Sequence, residues 1–155
     1  VAKLVKETDV ALEIGHCGNP LMICEAAKFC IEEGALDRII IGNDAPSGTG
    51  VIPLGILRVI SHLASLTPVK AEQAIAMASG NTARVHKLDT GKIEVGLAAD
   101  LVLIDTPMGS VGVDALSAIE AGDLPGVSMI FVDGEMVVSK SRNTPPVTRM
   151  PFMAE

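Results

Sequence analysis

Apolar residues in the first half of the chain alternate between strand and helix patterns. Residues 10–14, followed by Gly15, predict a short strand. A second strand is predicted over 38–44, where the apolar run 39–42 lies between turn residues, which is typical of a strand buried on both faces in a parallel sheet. Between them, apolar residues from Pro20 onward recur at the spacing of a helix with one buried stripe, and Gly34 predicts its end. Strand, helix and strand form a βαβ unit, so we expect parallel strands.

The pattern changes character along the rest of the chain. One helix is predicted to begin at Pro53 and another to span residues 69–83. After residue 88 we predict short strands, with a hairpin turn at Asp133-Gly134 and a short helix. The predicted strands cover residues 92–96, 99–105, 127–131 and 135–138, and the helix covers 114–121.

This change of pattern divides the chain into three predicted parts. Residues 1–88 are α/β, and residues 89–142 are mainly antiparallel β with a helical insertion at about 107–124. Three prolines predict an extended tail over 143–155.

The composition is unusually apolar for a chain of this size. The 155 residues suffice for one sizeable core, but 48% of them are hydrophobic and the mean hydropathy is +0.44. No apolar run approaches the roughly 20 residues of a membrane span, so we do not expect a membrane protein. Elements that pack against parts absent from this chain would explain the excess, and the lack of an initiator methionine or a leader agrees. We therefore expect a fragment.

The charge and the cysteine content limit which binding partners and which cellular compartment we expect. A net charge of -7 and an aromatic content of 2% argue against nucleic-acid binding, which needs basic patches and stacking side chains. Three cysteines without paired spacing argue against a disulfide framework. We expect a cytoplasmic protein.

Candidate chemistry gathers at the ends of the two predicted parallel strands. Asp44 follows the second strand, at the edge where ligands collect in α/β folds, although an aspartate that caps a turn would look the same. His16 follows the first strand on the same edge and is a candidate substrate contact. Asn43, Ser47 and Thr49 flank Asp44 in a glycine-rich loop and are further candidates, but ordinary turn chemistry also explains them.

Three motifs carry a family resemblance. They are A-S-G-N-T-A at 78–83, G-K-I-E-V-G at 91–96 and A-A-D-L-V-L-I-D at 98–105, and they follow a strand that ends in Asp44. Together they resemble the C-terminal part of the amidohydrolase superfamily of metal-dependent hydrolases. The stretch G-N-D-A-P-S-G-T-G at 42–50 is similar to members that act on cyclic enamides.

The resemblance implies a fold and a site. Residues 1–88 would supply the last two β/α units, strands seven and eight, of a (β/α)8 TIM-type barrel, and residues 89–142 would supply the C-terminal strands of a small β-sandwich. Asp44 would be a metal ligand and the general base. The divalent metal would be zinc, with iron as the alternative, and most of its ligands would lie outside this chain.

The implied function is hydrolysis of a C–N bond in a small cyclic amide or enamide. The full-length protein would be a homo-oligomer, and the isolated chain would be inactive. Two alternatives stay open. One is a dihydroorotase-, imidazolonepropionase- or deaminase-like activity, and the other is a non-catalytic α/β binding or assembly module.

Overall fold

A parallel sheet forms the base of the first half. The computed structural model describes residues 1–16, 18–46 and 50–153. After helix α1 (Ala2–Glu7), strands β1 (Leu12–Gly15) and β2 (Ile39–Gly42) pair in parallel, and helix α2 (Pro20–Glu32) connects them. The predicted βαβ unit is confirmed.

Helix α2 begins and ends where its local sequence directs. The Asn19 side chain accepts a hydrogen bond from the backbone N–H of Leu21 at 3.0 Å, and Pro20 occupies the first turn. Beyond the last residue, Gly34 adopts a φ of 67°, which costs glycine little because it has no Cβ.

Helices cover one face of this sheet and form the core. Helix α3 (Gly55–Leu66) and helix α4 (Ala71–Ala78) follow β2, and helix α5 (Gly80–His86) comes next. Ile14 and Ile39 pack with Val59, Leu63 and Met77 in one apolar cluster. The opposite face of the sheet therefore lies outside this cluster.

The prediction of one helix over residues 69–83 is wrong. The chain breaks at Ser79, which has φ −124° and ψ −87° and whose hydroxyl donates to the Ile75 carbonyl at 2.8 Å. A serine hydroxyl that donates to a carbonyl one turn earlier competes with the backbone hydrogen bonds of the helix. The break places Asn81 so that its Nδ2 donates to the Ile39 carbonyl at 3.0 Å, which ties helix α5 to the start of β2.

The second half forms an antiparallel sheet in the order β3 (Leu101–Asp105), β4 (Gly126–Val132), β5 (Glu135–Val138). Helix α6 (Ala115–Glu120) lies between β3 and β4 in sequence, and the Asp114 carboxylate caps it by accepting from the Ser117 N–H at 2.8 Å. Across the described ranges, no helix combines the length and the apolar character needed to cross a bilayer.

The strand predicted over residues 92–96 is absent. No described strand pairs with this segment, and Ile93 and Val95 are 91% and 104% exposed. A short alternating segment becomes a strand only where a neighbouring strand supplies hydrogen-bond partners. The alternation of apolar and polar residues alone is therefore insufficient to form a strand at 92–96.

The C-terminal tail is bound to the sheet rather than free. Val147 forms an antiparallel bridge with Pro107, and the Thr148 N–H donates to the Thr106 carbonyl at 3.0 Å. Arg149 donates to Asp105 from its backbone N–H at 2.9 Å and from Nε at 3.0 Å. These charge-assisted bonds fix the extended segment that follows the prolines.

The hydrogen-bonded ion pair of Asp105 and Arg149 predicts a contribution to stability that is lost in acid. Asp105 is only 7% exposed, and hydrogen bonding from Arg149 lowers its pKa from 3.8 to about 2. A carboxyl whose pKa falls on folding stabilises the protein above its unfolded pKa, and the contribution is lost as the pH drops from about 4 to about 2. At 1.36 kcal/mol per pKa unit the shift is worth at most about 2 kcal/mol.

We therefore expect Asp105→Asn to lower the free energy of unfolding by up to about 2 kcal/mol at pH 7 and by progressively less below pH 4. Urea unfolding at a series of pH values measures both effects. Asp89→Asn, at an exposed site, is the matched control. A deficit that stays constant from pH 7 to pH 2 would contradict the assignment.

Candidate active site

The face of the parallel sheet opposite the core cluster carries one strand carboxylate, that of Glu13, paired with the apolar Ile40. Side chains alternate along each strand, and paired residues of parallel strands point to the same face. Because Ile14 and Ile41 are paired and belong to the core, Glu13 shares the opposite face with Gly15 and Gly42.

Asp44 lies at the carboxyl edge of this face. It lies two residues beyond the end of β2 and has a φ of 51°, which is uncommon for a residue other than glycine. A Cβ built on Gly15 would lie 3.2 Å from the Asp44 Cβ, so the two strand ends approach closely there. The glycine at position 15 gives the aspartate its space.

Glu13 is a second carboxylate on the same face, and sequence reasoning missed it. A Cβ built on Gly42 would lie 1.9 Å from the Glu13 Oε1, so the glutamate fills the space that the glycine leaves. The available signal was an acidic residue in the middle of a short strand that is otherwise apolar or glycine.

His16, the residue directly after β1, meets a residue that the sequence did not connect with it. Its ring stacks on that of His62 from α3, with centroids 5.6 Å apart and planes inclined at 30°. The Nδ1 atoms of both rings are buried without a hydrogen-bond partner among the described residues. Burial above all, with help from His16 and Arg58, lowers the pKa of His62, which favours the neutral ring at pH 7.

Of the three candidate substrate contacts in the loop around Asp44, the structure describes one, Asn43. A Cβ built on Gly55 would lie 1.7 Å from the Asn43 Oδ1, so the Asn43 amide packs against the start of α3. Its role as a substrate contact stays a prediction. Ser47 and Thr49 lie outside the described residues.

The side chains near Asp44 show how much of a metal site this chain can supply. Asp44 offers a carboxylate oxygen, a ligand that divalent ions accept. Among the described residues, no group of three His, Cys, Asp or Glu side chains is placed to hold a metal ion. A metal at Asp44 therefore needs further ligands from other residues.

A spacious apolar cleft lies apart from this edge. It measures about 500 Å³ and lies between the helices and the antiparallel sheet. Its lining includes Ile60, Ile75, Leu101 and Val102. It shares no residue with the carboxyl edge at Asp44, so the chemistry and the cleft are separate features.

Comparison with known proteins identifies the class. The model of the amidohydrolase family matches residues 22–137, and the chain belongs to this family. This result confirms the resemblance seen in the sequence motifs.

Individual relatives narrow the comparison. Enamidase from Eubacterium barkeri is 53% identical over 149 residues, which is 96% of this chain and 39% of the enamidase. The crystal structure of an enamidase superposes with a TM-score of 0.94, at 53% identity, over 96% of this chain and 38% of that one. This chain thus spans about two fifths of the relatives it matches.

More distant structures share the fold alone. Guanine deaminase from E. coli has a TM-score of 0.58 at 18% identity, over 90% of this chain and 36% of its own. A β-aspartyl dipeptidase from Fervidobacterium islandicum AW-1 has a TM-score of 0.61 at 18% identity, over 90% and 34%.

Proposed function

We propose that this chain belongs to a longer metal-dependent hydrolase that opens the C–N bond of a cyclic amide or enamide. The observation that carries the proposal is the position of Asp44 at the carboxyl edge of two parallel strands, close to Gly15 on the face opposite the core cluster. The 53% identity to enamidase supports the substrate class. In this proposal β1 and β2 are strands seven and eight of a (β/α)8 barrel, and the face opposite the core cluster lies toward the centre of the barrel.

Asp44 has two tasks in the proposed reaction. A divalent metal, zinc or iron, would supply Lewis-acid activation and lower the pKa of a water. The Asp44 carboxylate holds that water by accepting its hydrogen bond, takes up one proton and returns it to the departing nitrogen. The same carboxylate serves as ligand and base, so its side chain must be oriented for both tasks.

A substrate panel tests the proposal. The full-length protein, loaded in turn with zinc and iron, is assayed against a cyclic enamide, a saturated lactam, dihydroorotate and guanine. We expect ring opening of the enamide or lactam, loss of this activity on chelation and recovery on adding metal back. Turnover of dihydroorotate or guanine alone, or of no substrate with metal bound, would refute the proposed substrate class.

Two expectations from the sequence remain predictions for the full-length protein. They are the homo-oligomeric state and the cytoplasmic location.

A further inference from the structure

Gly15 lies where the carboxyl ends of the two parallel strands meet. It is the last residue of β1 and pairs with Gly42, the last residue of β2. Asp44 follows two residues later, and its Cβ lies 3.2 Å from the position that a Cβ on Gly15 would occupy. The chain beyond β2 therefore bends toward the end of β1, where it meets a residue without a side chain.

The backbone conformation of Gly15 does not require a glycine. Its φ lies outside the left-handed region, so an alanine can adopt the same conformation. A contact of 3.2 Å, however, is closer than the optimum of about 3.5–4.0 Å between two carbon atoms. What the glycine provides at this position is space for Asp44.

The atom that faces this space is fixed by the backbone. Rotation about χ1 moves the Asp44 carboxylate but not the Asp44 Cβ, so no change of rotamer can relieve the contact with an added methyl group. The paired glycine differs, because the atom nearest a Cβ on Gly42 is the end of the flexible Glu13 side chain. An alanine at position 15 must therefore shift the Asp44 backbone or the end of β1.

We infer that Gly15 is a positioning residue that sets where the Asp44 carboxylate lies at the carboxyl edge. The inference rests on the proposed function, because Gly15 acts through Asp44 as metal ligand and base. A group with those tasks must be held to within about 0.5 Å of its working geometry. Relief of the contact with an added Cβ takes a few tenths of an ångström, which uses up much of that tolerance.

A double-mutant cycle in the full-length, metal-loaded enzyme tests the inference, with a cyclic enamide as substrate. We expect Gly15→Ala to lower kcat about tenfold in the wild type, but less than about twofold when Asp44 is already replaced by asparagine. An effect through the carboxylate disappears once the carboxylate is gone, whereas general damage to the strand persists.

Gly80→Ala is the matched control. A Cβ added at Gly80 would make an ordinary 3.5 Å contact with the Gly91 carbonyl oxygen, away from the carboxyl edge. We expect kcat to stay unchanged in both backgrounds.

Zinc affinity provides a readout that does not depend on turnover. Competition with a chelator measures the Kd for zinc of the wild type and of each variant. We expect the Kd to rise about tenfold in Gly15→Ala, the low end of the range for disturbing the support of a metal ligand, and to stay unchanged in Gly80→Ala.

A third variant tests the contact itself. Asp44→Gly removes the Cβ that an alanine at position 15 would meet. If Gly15→Ala lowers the melting temperature or prevents folding, we expect the Asp44→Gly background to remove that loss. A loss of the same size in both backgrounds would overturn the inference.

The other outcomes are distinguishable. An unchanged kcat and an unchanged zinc Kd in Gly15→Ala would overturn the inference, and so would equal losses of kcat with aspartate and with asparagine at position 44. If the wild-type enzyme opens no cyclic amide, the proposed function fails, whereas the zinc affinities still show whether Gly15 positions Asp44.

Discussion

Replacing Asp44 with asparagine is expected to lower kcat of the full-length, metal-loaded enzyme by about 10³-fold, within the range for loss of a general base. The amide keeps the size of the side chain but cannot take up the proton that the proposed reaction must pass to the leaving nitrogen. It is also a weaker metal ligand. Asparagine tolerates the φ of 51° at this position, so the backbone should be preserved.

Asp133→Asn is a closely matched control. Asp133 has the same φ of 51° but lies in the turn between β4 and β5, away from the parallel sheet. We expect unchanged kcat and KM there. Steady-state kinetics, with metal content measured in parallel, separate loss of the base from loss of the ion. An Asp44→Asn enzyme with full metal and wild-type kcat would remove Asp44 from the mechanism.

The second large effect concerns stability. Leu63→Ala is expected to lower the free energy of unfolding by about 2–5 kcal/mol, the range for truncating a buried leucine. Leu63 is 0% exposed and packs within the core cluster that joins α3 to the parallel sheet. Its removal leaves a cavity that close-packed neighbours fill only in part.

Leu66→Ala, in the same helix, provides the comparison. Leu66 is 59% exposed, so its truncation should cost less than about 0.5 kcal/mol. Urea unfolding of both variants and of the parent gives the two differences. Equal losses at positions 63 and 66 would mean that packing of α3 on the sheet does not dominate the stability of this half.

Local sequence patterns were reliable where an element carries its own signals. Helix α2 has an asparagine cap, a proline in its first turn and a glycine after its end, and both termini fell close to the prediction. The local patterns failed where a hydrogen bond from a side chain, or a partner outside the segment, determines whether an element forms. The Ser79 hydroxyl donates to the Ile75 carbonyl where the predicted helix is divided, and the 92–96 segment has no described strand beside it.

The same division holds for the candidate site. The sequence by itself determined the βαβ unit, the family and the position of Asp44 after β2, because these depend on periodicity and motifs within short stretches. Only the tertiary structure joined His16 to His62, set Glu13 over Gly42 and turned Asn43 toward α3. Those contacts arise when strand pairing and helix packing bring distant residues together, and no local pattern records which residues will meet.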